Sequence, residues 1–448
     1  MSTATTAGRP SGEAPLTLGE PTTDDLGLRE TFGLWANLGV SLLLPVAAAF
    51  VVLAGRPLGV TLLAIAVGSA LGAVLLGLTA APAARERAPA MVMMRGLLGR
   101  RASYLPTGLN VLQCLGWATF EIVIIAEAAS RVLDAPRWPF VLAAGVLATA
   151  MALRPLGVVR ILARYAVWAA LAAVVYLFVW VLREPLPQIQ EGGAGSFWSA
   201  VDIVIALPVS WFPLAADYTR HVRNPRTAFI GTAGGYGAAS CVMFTLGVLA
   251  LAAYGTSGLD VIDALLAVPL GLLAVLVLVS VEVDEAFANI YSTAVSTQNV
   301  SSRVDRRVMA MVVGTVATLL ALSLDVVAYE PFLFLLGAVF VPLAGVFLVA
   351  YYLLPRGAWD VSDTAPARPA LLLPWAAGFV AYQLTVPTFF VGAAAGWTTW
   401  WGDRQADLGI SATNGLSASL VSLTVASLLT VAVALPGALR TRRESISS

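Results

Sequence analysis

Twelve runs of about 20 apolar residues follow one another along the 448 residues of this chain, far more apolar length than a soluble core can hide. An α-helix rises 1.5 Å per residue, so about 20 residues cross the roughly 30 Å hydrocarbon layer of a bilayer. The runs fall at 33–54, 58–80, 104–129, 138–155, 159–182, 200–219, 227–254, 260–292, 308–325, 329–354, 371–392 and 415–437. Lipid offers a peptide group no hydrogen bond, so each run is expected to be a helix, which pairs its own backbone. Composition agrees. The chain is 59% hydrophobic and 12% charged, with a mean hydropathy of +0.84, where a soluble domain carries about 25% charged residues.

Arginine distribution sets the expected orientation. The chain has no lysine, and its 26 basic residues balance 26 acidic ones. With the amino terminus inside, 21 arginines fall in inside segments and only Arg56, Arg131, Arg137, Arg183 and Arg404 fall outside. That bias is the one cytoplasmic loops show, and a miscounted helix would scramble it. A multi-pass protein of the cell membrane with both ends cytoplasmic is expected. Zero net charge argues against a nucleic-acid partner. The lone His221 and the apolar surroundings of Cys114 and Cys241 leave no metal cluster or disulfide framework. No Gly-rich phosphate loop or Ser/His/Asp set is present, so an ATP-driven pump or an enzyme is not indicated. Residues 1–28 are polar and read as a disordered cytoplasmic tail.

Two runs carry breaks. The first reads Asn37-Leu38-Gly39-Val40-Ser41-Leu42-Leu43-Leu44-Pro45, and the sixth Leu207-Pro208-Val209-Ser210-Trp211-Phe212-Pro213. Proline removes a helix donor and crowds the preceding turn. A simple proline kink is the plainer alternative for either run taken singly. Together they suggest more, because Val40-Ser41 and Val209-Ser210 lie 169 residues apart in the first helices of two five-helix halves. Five is odd, so the second half enters the membrane from the other side. The expected architecture is an all-α membrane protein of twelve helices: a tail at 1–28, one repeat at 29–182, an inverted repeat at 200–354, two further helices at 371–437 and a tail at 438–448. In such folds broken helices line a midplane binding site.

Polar residues inside the runs mark that site, because intramembrane charge is costly and normally functional. In the third run Gln113, Trp117 and Glu121 share one helix face, spaced four apart. Glu127 lies nearer the outer end. The eighth run carries Ser280, Glu282, Asp284, Glu285 and Asn289. Either this is a long helix continuing to Val300, or the span ends near Ser280. Asp217 and Arg220 are expected to form a surface pair or gate contact at the cytoplasmic edge, with His221 in a loop.

These motifs resemble the nucleobase–cation symporter-1 family: the broken first span, Trp117-x-x-x-Glu121, Asp217-Tyr218-Thr219-Arg220 and Asn289-Ile290-Tyr291-Ser292. The likeness covers residues 30–437 and is nearest to hydroxymethylpyrimidine transporters of thiamine salvage. It implies alternating access and a planar substrate stacked between aromatics of spans three and six. Trp117 falls on the stacking position, Glu121 where relatives often have Gln, and Asn289 on the amide position. Trp211 is in the right span with a shifted register. Gln113, Ser210, Glu285 and Asn37 complete the expected substrate set. The family's sodium site combines carbonyls of the first break with hydroxyls of span eight. Here it falls on Gly39, Ser41, Leu42, Ser280 and Asp284, with Val283 and Asp284 in place of the hydroxyl pair. Sodium, or a proton taken up by Asp284 or Glu285, is the expected coupling ion. The expected activity is import of a neutral pyrimidine such as hydroxymethylpyrimidine or cytosine by a monomer, with oligomers left open. An amino-acid or amine symporter of the same architecture is the nearest alternative, and a membrane sensor or channel the alternative of another class.

Overall fold

A computed structural model describes residues 14–22, 25–255, 260–324, 329–353, 359–388, 395–410 and 415–447. Among the described residues all regular structure is helical, and helices lie at all twelve expected positions. The run ends at 325, 354 and 389–392 lie outside the described residues. Five helices are long and apolar enough to cross a membrane unaided: Leu58–Glu86, Tyr104–Leu133, Pro155–Val181, Pro225–Tyr254 and Pro331–Tyr352. Trp138–Leu153, Phe197–Ser210 and Ala418–Ala434 are shorter apolar helices. Two helices lie outside the apolar runs, Ala90–Leu98 and the tryptophan-rich Ala395–Asp407. Val146 and Leu319 are among many large apolar side chains left exposed, as a lipid-facing surface requires.

Both suspected breaks are genuine interruptions rather than kinks. Span one is two helices, Leu28–Asn37 and Leu43–Val51. Pro45 sits in the first turn of the second, where a missing N–H goes unnoticed. Span six is likewise split into Phe197–Ser210 and Ala215–Thr219, with Pro213 in the gap. Span eight bends too: Asp260–Ala267 precedes the 30-residue helix Gly271–Val300, with Leu270 at φ +54° between them. Of the two readings of span eight, the long helix is the one found.

Packing displays the repeat. The first half of span one lies on span seven as span two lies on span six, while spans two and seven, three and eight, and four and nine pair with each other. Small residues permit these approaches. Gly68 and Gly72 face span six, where an added Cβ would stand 2.7 Å from Val204 and 2.2 Å from Pro208. Gly231 and Gly235 of span seven press on span one in the same way, with Cβ distances of 2.7 Å to Thr31 and 2.5 Å to the Phe32 carbonyl oxygen. Spans four and nine exchange a reciprocal contact. A Cβ on Gly145 would be 2.0 Å from Thr318, and one on Gly314 would be 2.0 Å from Thr149. Each threonine hydroxyl donates to the carbonyl of the glycine four residues before it, at 2.6 Å. The two Gly-x-x-x-Thr motifs are 169 residues apart, the same offset as the breaks. Gly314→Leu is therefore expected to cost about 1–3 kcal/mol by overpacking and to lower the melting temperature in detergent. Gly59→Ala, with nothing within 4 Å of the new Cβ, should leave it unchanged. Equal melting of the two variants would contradict the close contact.

The amino-terminal stretch corrects one expectation. Residues 14–22 and 25–27 are docked, not a free tail, and Ala14 and Leu26 are fully buried. The Leu26 N–H donates to His221 O at 3.0 Å, and Arg223 N–H donates to Leu26 O at 3.1 Å. Gln298 Nε2 donates to Leu16 O at 2.6 Å. Arg306 donates from its backbone to Leu16 O at 3.1 Å and from its guanidinium to Ala152 O at 2.7 Å. The stretch thus meets the end of span six and spans eight and nine, and Arg306 carries the contact on to span four. At the other terminus the last helix runs on to Ser447, through most of the expected tail.

Candidate substrate and cation site

The break in span one faces the polar stretch of span eight, and the two carboxylates nearest it meet opposite ends of the gap. Glu282 meets the second half-helix. Ser41 Oγ donates to Glu282 Oε1 and Leu42 N–H to Glu282 Oε2, each at 2.7 Å. The unpaired N–H groups at a helix start favour an anion, so Glu282 fills an anion position with the protein's own carboxylate. Asp284 meets the carbonyl end of the first half-helix, where Asn37 Nδ2 donates to its Oδ2. Asn37 Oδ1 and Asp284 Oδ1 are buried and receive no donor among the described residues. Two such oxygens beside a helix C-terminus favour a cation.

This changes the expected cation set. Ser41 and Leu42 are engaged by Glu282, whose role was not anticipated. Asn37, expected to face substrate, turns to Asp284 and is not part of the cavity lining. Gly39 packs on span seven, where an added Cβ would lie 2.8 Å from Ala239 Cβ. Ser280 is a correction. It is exposed and donates to Leu276 O at 2.7 Å. Four residues of helix rise amount to about 6 Å, which carries it past the break. Among the described residues no three His, Cys, Asp or Glu side chains converge as metal ligands.

Beside the break lies a narrow cavity lined by Trp117, Trp211, Tyr236, Glu285, Asn289 and the hydroxyl-bearing Ser41 and Ser210, with leucines completing the walls. It has space for about one water molecule, so a heterocycle enters only if its walls part. Trp117 meets Phe332 edge-on, with ring centroids 5.4 Å apart. Trp211 meets Trp35 the same way at 5.7 Å, and its Nε1 donates to Tyr236 Oη at 3.1 Å. Tyr236 was missed by sequence reasoning; its only signal is an aromatic among the glycines of Gly234-Gly235-Tyr236-Gly237. Asn289 Nδ2 donates to the Glu285 carbonyl oxygen at 3.0 Å. Gln113 does not line the cavity. Its Nε2 donates to Ser210 O at 3.0 Å and to Asn110 Oδ1 at 2.9 Å, holding the break of span six in place. Glu121 lies behind the wall, fully buried, facing Glu282 and Glu285.

One side of the cavity is sealed. Asp217, Arg220 and His221 were expected at a surface or in a loop, yet all three are buried. Asp217 accepts from Ala90 N–H at 2.9 Å, Tyr218 Oη donates to Ala288 O at 2.7 Å, and Arg220 Nη2 donates to Tyr291 Oη at 3.3 Å. The short end of span six is thereby fastened to span eight and to the helix Ala90–Leu98. Toward the opposite end, Arg131 pairs with Glu127 at 3.2 Å and with Asp263 at 2.6 Å, the half-exposed setting expected for Glu127.

Comparison with solved structures places the fold. Mhp1, a nucleobase-cation-symport-1 family transporter in a closed conformation with bromovinylhydantoin bound, superposes with a TM-score of 0.72 at 18% identity, covering 97% of this chain and 96% of that one. The inward-facing conformation of Mhp1 gives 0.72 at 17% identity, covering 96% and 95%. A Na⁺-coupled sialic acid symporter in a substrate-bound outward-open state gives 0.65 at 10% identity, covering 94% and 91%. No curated protein matches in sequence. The family model described as permease for cytosine/purines, uracil, thiamine and allantoin matches residues 22–370. Over most of its length, breaks and cavity included, this chain is therefore a member of the cytosine/purine, uracil, thiamine and allantoin permease family, a transporter and not an enzyme.

Proposed function

We propose that the protein is a cation symporter of the cell membrane, with both ends cytoplasmic, that imports a pyrimidine such as hydroxymethylpyrimidine or cytosine by alternating access, in the service of thiamine or nucleobase salvage. The observation that carries this reading is the narrow cavity between two broken helices, lined by Trp117, Trp211 and Tyr236 together with Asn289 and Glu285. Aromatic walls suit a flat heterocycle, and an amide matches an amino group beside a ring nitrogen. Mhp1 with its bound hydantoin and the Na⁺-coupled sialic acid symporter share the fold, which supports coupling to a cation. Asn37 Oδ1 and Asp284 Oδ1 are the oxygens assigned to that cation, sodium or a proton.

One feature weighs against an amino-acid substrate. A zwitterion's carboxylate would seek the helix start at Leu42, and Glu282 already occupies it. A channel has no use for a closed site, and no output domain for a sensor lies among the described residues. Uptake of labelled pyrimidines into a pyrimidine-transport deletion strain tests the reading. Saturable, gradient-dependent accumulation with competition among pyrimidines is expected, and competition by amino acids but by no pyrimidine would refute it. Trp117→Ala should weaken the apparent affinity by about 1–3 kcal/mol, the contribution of one stacking wall, or roughly 5- to 150-fold. An unchanged KM would remove Trp117 from the site.

A further inference from the structure

Four hydrogen-bond donors of the cavity wall are already engaged, while one carboxylate oxygen on the same wall is not. Ser41 Oγ donates to Glu282, Ser210 Oγ to Leu207 O at 2.6 Å, Trp211 Nε1 to Tyr236, and Asn289 Nδ2 to the Glu285 backbone. Against these, Glu285 Oε1 receives no donor among the described residues, though the residue is only 5% exposed and lines the cavity. Behind it lies the fully buried Glu121, whose carboxyl group meets those of Glu285 and Glu282. No lysine, arginine or histidine lines the cavity. A buried carboxylate is costly unless something donates to it. An N–H of a ligand held in the cavity can supply the donor that Glu285 Oε1 lacks.

We infer that Glu285, supported from behind by Glu121, makes this a site for planar ligands bearing an amidine-type edge, an amino group beside a ring nitrogen that shares a proton with the carboxyl group once bound, and that it rejects heterocycles presenting an oxo group at that edge in place of the amino group. An amidinium edge offers two parallel N–H groups to the two carboxylate oxygens, the geometry that makes bidentate pairs strong. The aromatic walls add a face for a delocalised cation. A uracil-like edge offers one N–H but sets a carbonyl oxygen against the second carboxylate oxygen, leaving two buried acceptors opposed. The inference rests on the reading of this cavity as the substrate site, and narrows the pyrimidines to amino-substituted ones.

Two probe pairs test it by binding to the purified full-length protein, followed through tryptophan fluorescence. Benzamidine, a planar amidinium, is compared with benzamide, and cytosine is compared with uracil. In the wild type each nitrogen-rich probe is expected to bind roughly tenfold or more tighter than its oxo partner, as a site with an unmet acceptor should require. In Glu285→Gln, whose amide can donate, both preferences should shrink to near parity or reverse; Glu121→Gln should reduce them in part. Equal binding of both members of each pair to the wild type overturns the inference while leaving a pyrimidine permease intact. Preferences that survive unchanged in both variants also overturn it. Benzamidine binding without binding of any pyrimidine supports the amidine edge and refutes the pyrimidine reading.

Discussion

Glu282→Ala is expected to destabilise the protein by about 1–3 kcal/mol, the usual cost of leaving a buried donor without its acceptor. Its carboxylate is the acceptor for both the Ser41 hydroxyl and the Leu42 N–H, at 2.7 Å each, and all three residues are buried. Without it, the start of the second half-helix of span one holds a buried N–H that has lost its acceptor. The loss should appear as a lower melting temperature in detergent and a smaller monodisperse fraction on size-exclusion chromatography. Glu282→Gln retains one carbonyl oxygen and should fall between the wild type and the alanine variant. Ser41→Ala removes only a neutral donor and should cost about 1 kcal/mol. An alanine variant that melts with the wild type would mean that the break is held by something other than this carboxylate.

The largest functional effect is expected at Asp284. Asp284→Ala removes the acidic cation ligand and also the acceptor for Asn37 Nδ2. Loss of about 3 kcal/mol of cation binding corresponds to a factor of about a hundred, enough to abolish concentrative uptake. The coupling ion can then be read from conditions. Sodium coupling requires uptake that rises with external Na⁺ at fixed pH. Proton coupling requires indifference to Na⁺ and collapse when the pH gradient is dissipated, with gradient-insensitive exchange surviving in Asp284→Asn. Normal concentrative uptake by Asp284→Ala under both gradients would reassign the cation to Glu285 or Glu121.

How much of this was legible beforehand follows from what each residue needs. Membrane helices are readable because every peptide group in lipid must be paired locally, and the breaks because proline beside polar residues cannot satisfy that demand. The repeat showed in the 169-residue spacing of Val40-Ser41 and Val209-Ser210; the matching glycine–threonine contacts of spans four and nine needed coordinates to be recognised. Span eight was legible as a polar helix, but not in its assignments. Successive residues turn by about 100°, so Glu282, Asp284 and Glu285 point apart, and only the neighbouring helices decide what each one meets. Ser280 shares a face with Asp284 on a helical wheel and still misses the break, because a wheel ignores rise along the axis. Gln113 had the residue type of a ligand-binding group and proved to bind backbone. The docked amino terminus left almost no trace, since its attachment rests largely on backbone carbonyls that any residue could supply.

That attachment also sets an order on biosynthesis. Leu16 leaves the ribosome before any span exists, yet Gln298, which binds its carbonyl, comes 282 residues later. At about 5–20 residues per second, the strap waits on the order of tens of seconds for its partner. Arg306 follows later still, so the contacts that tie spans four, six, eight and nine together at one face close only after three-quarters of the helices have been inserted. A contact so distant in sequence adds nothing to the early stages of assembly and acts as a late check: it can form only once spans six, eight and nine stand side by side.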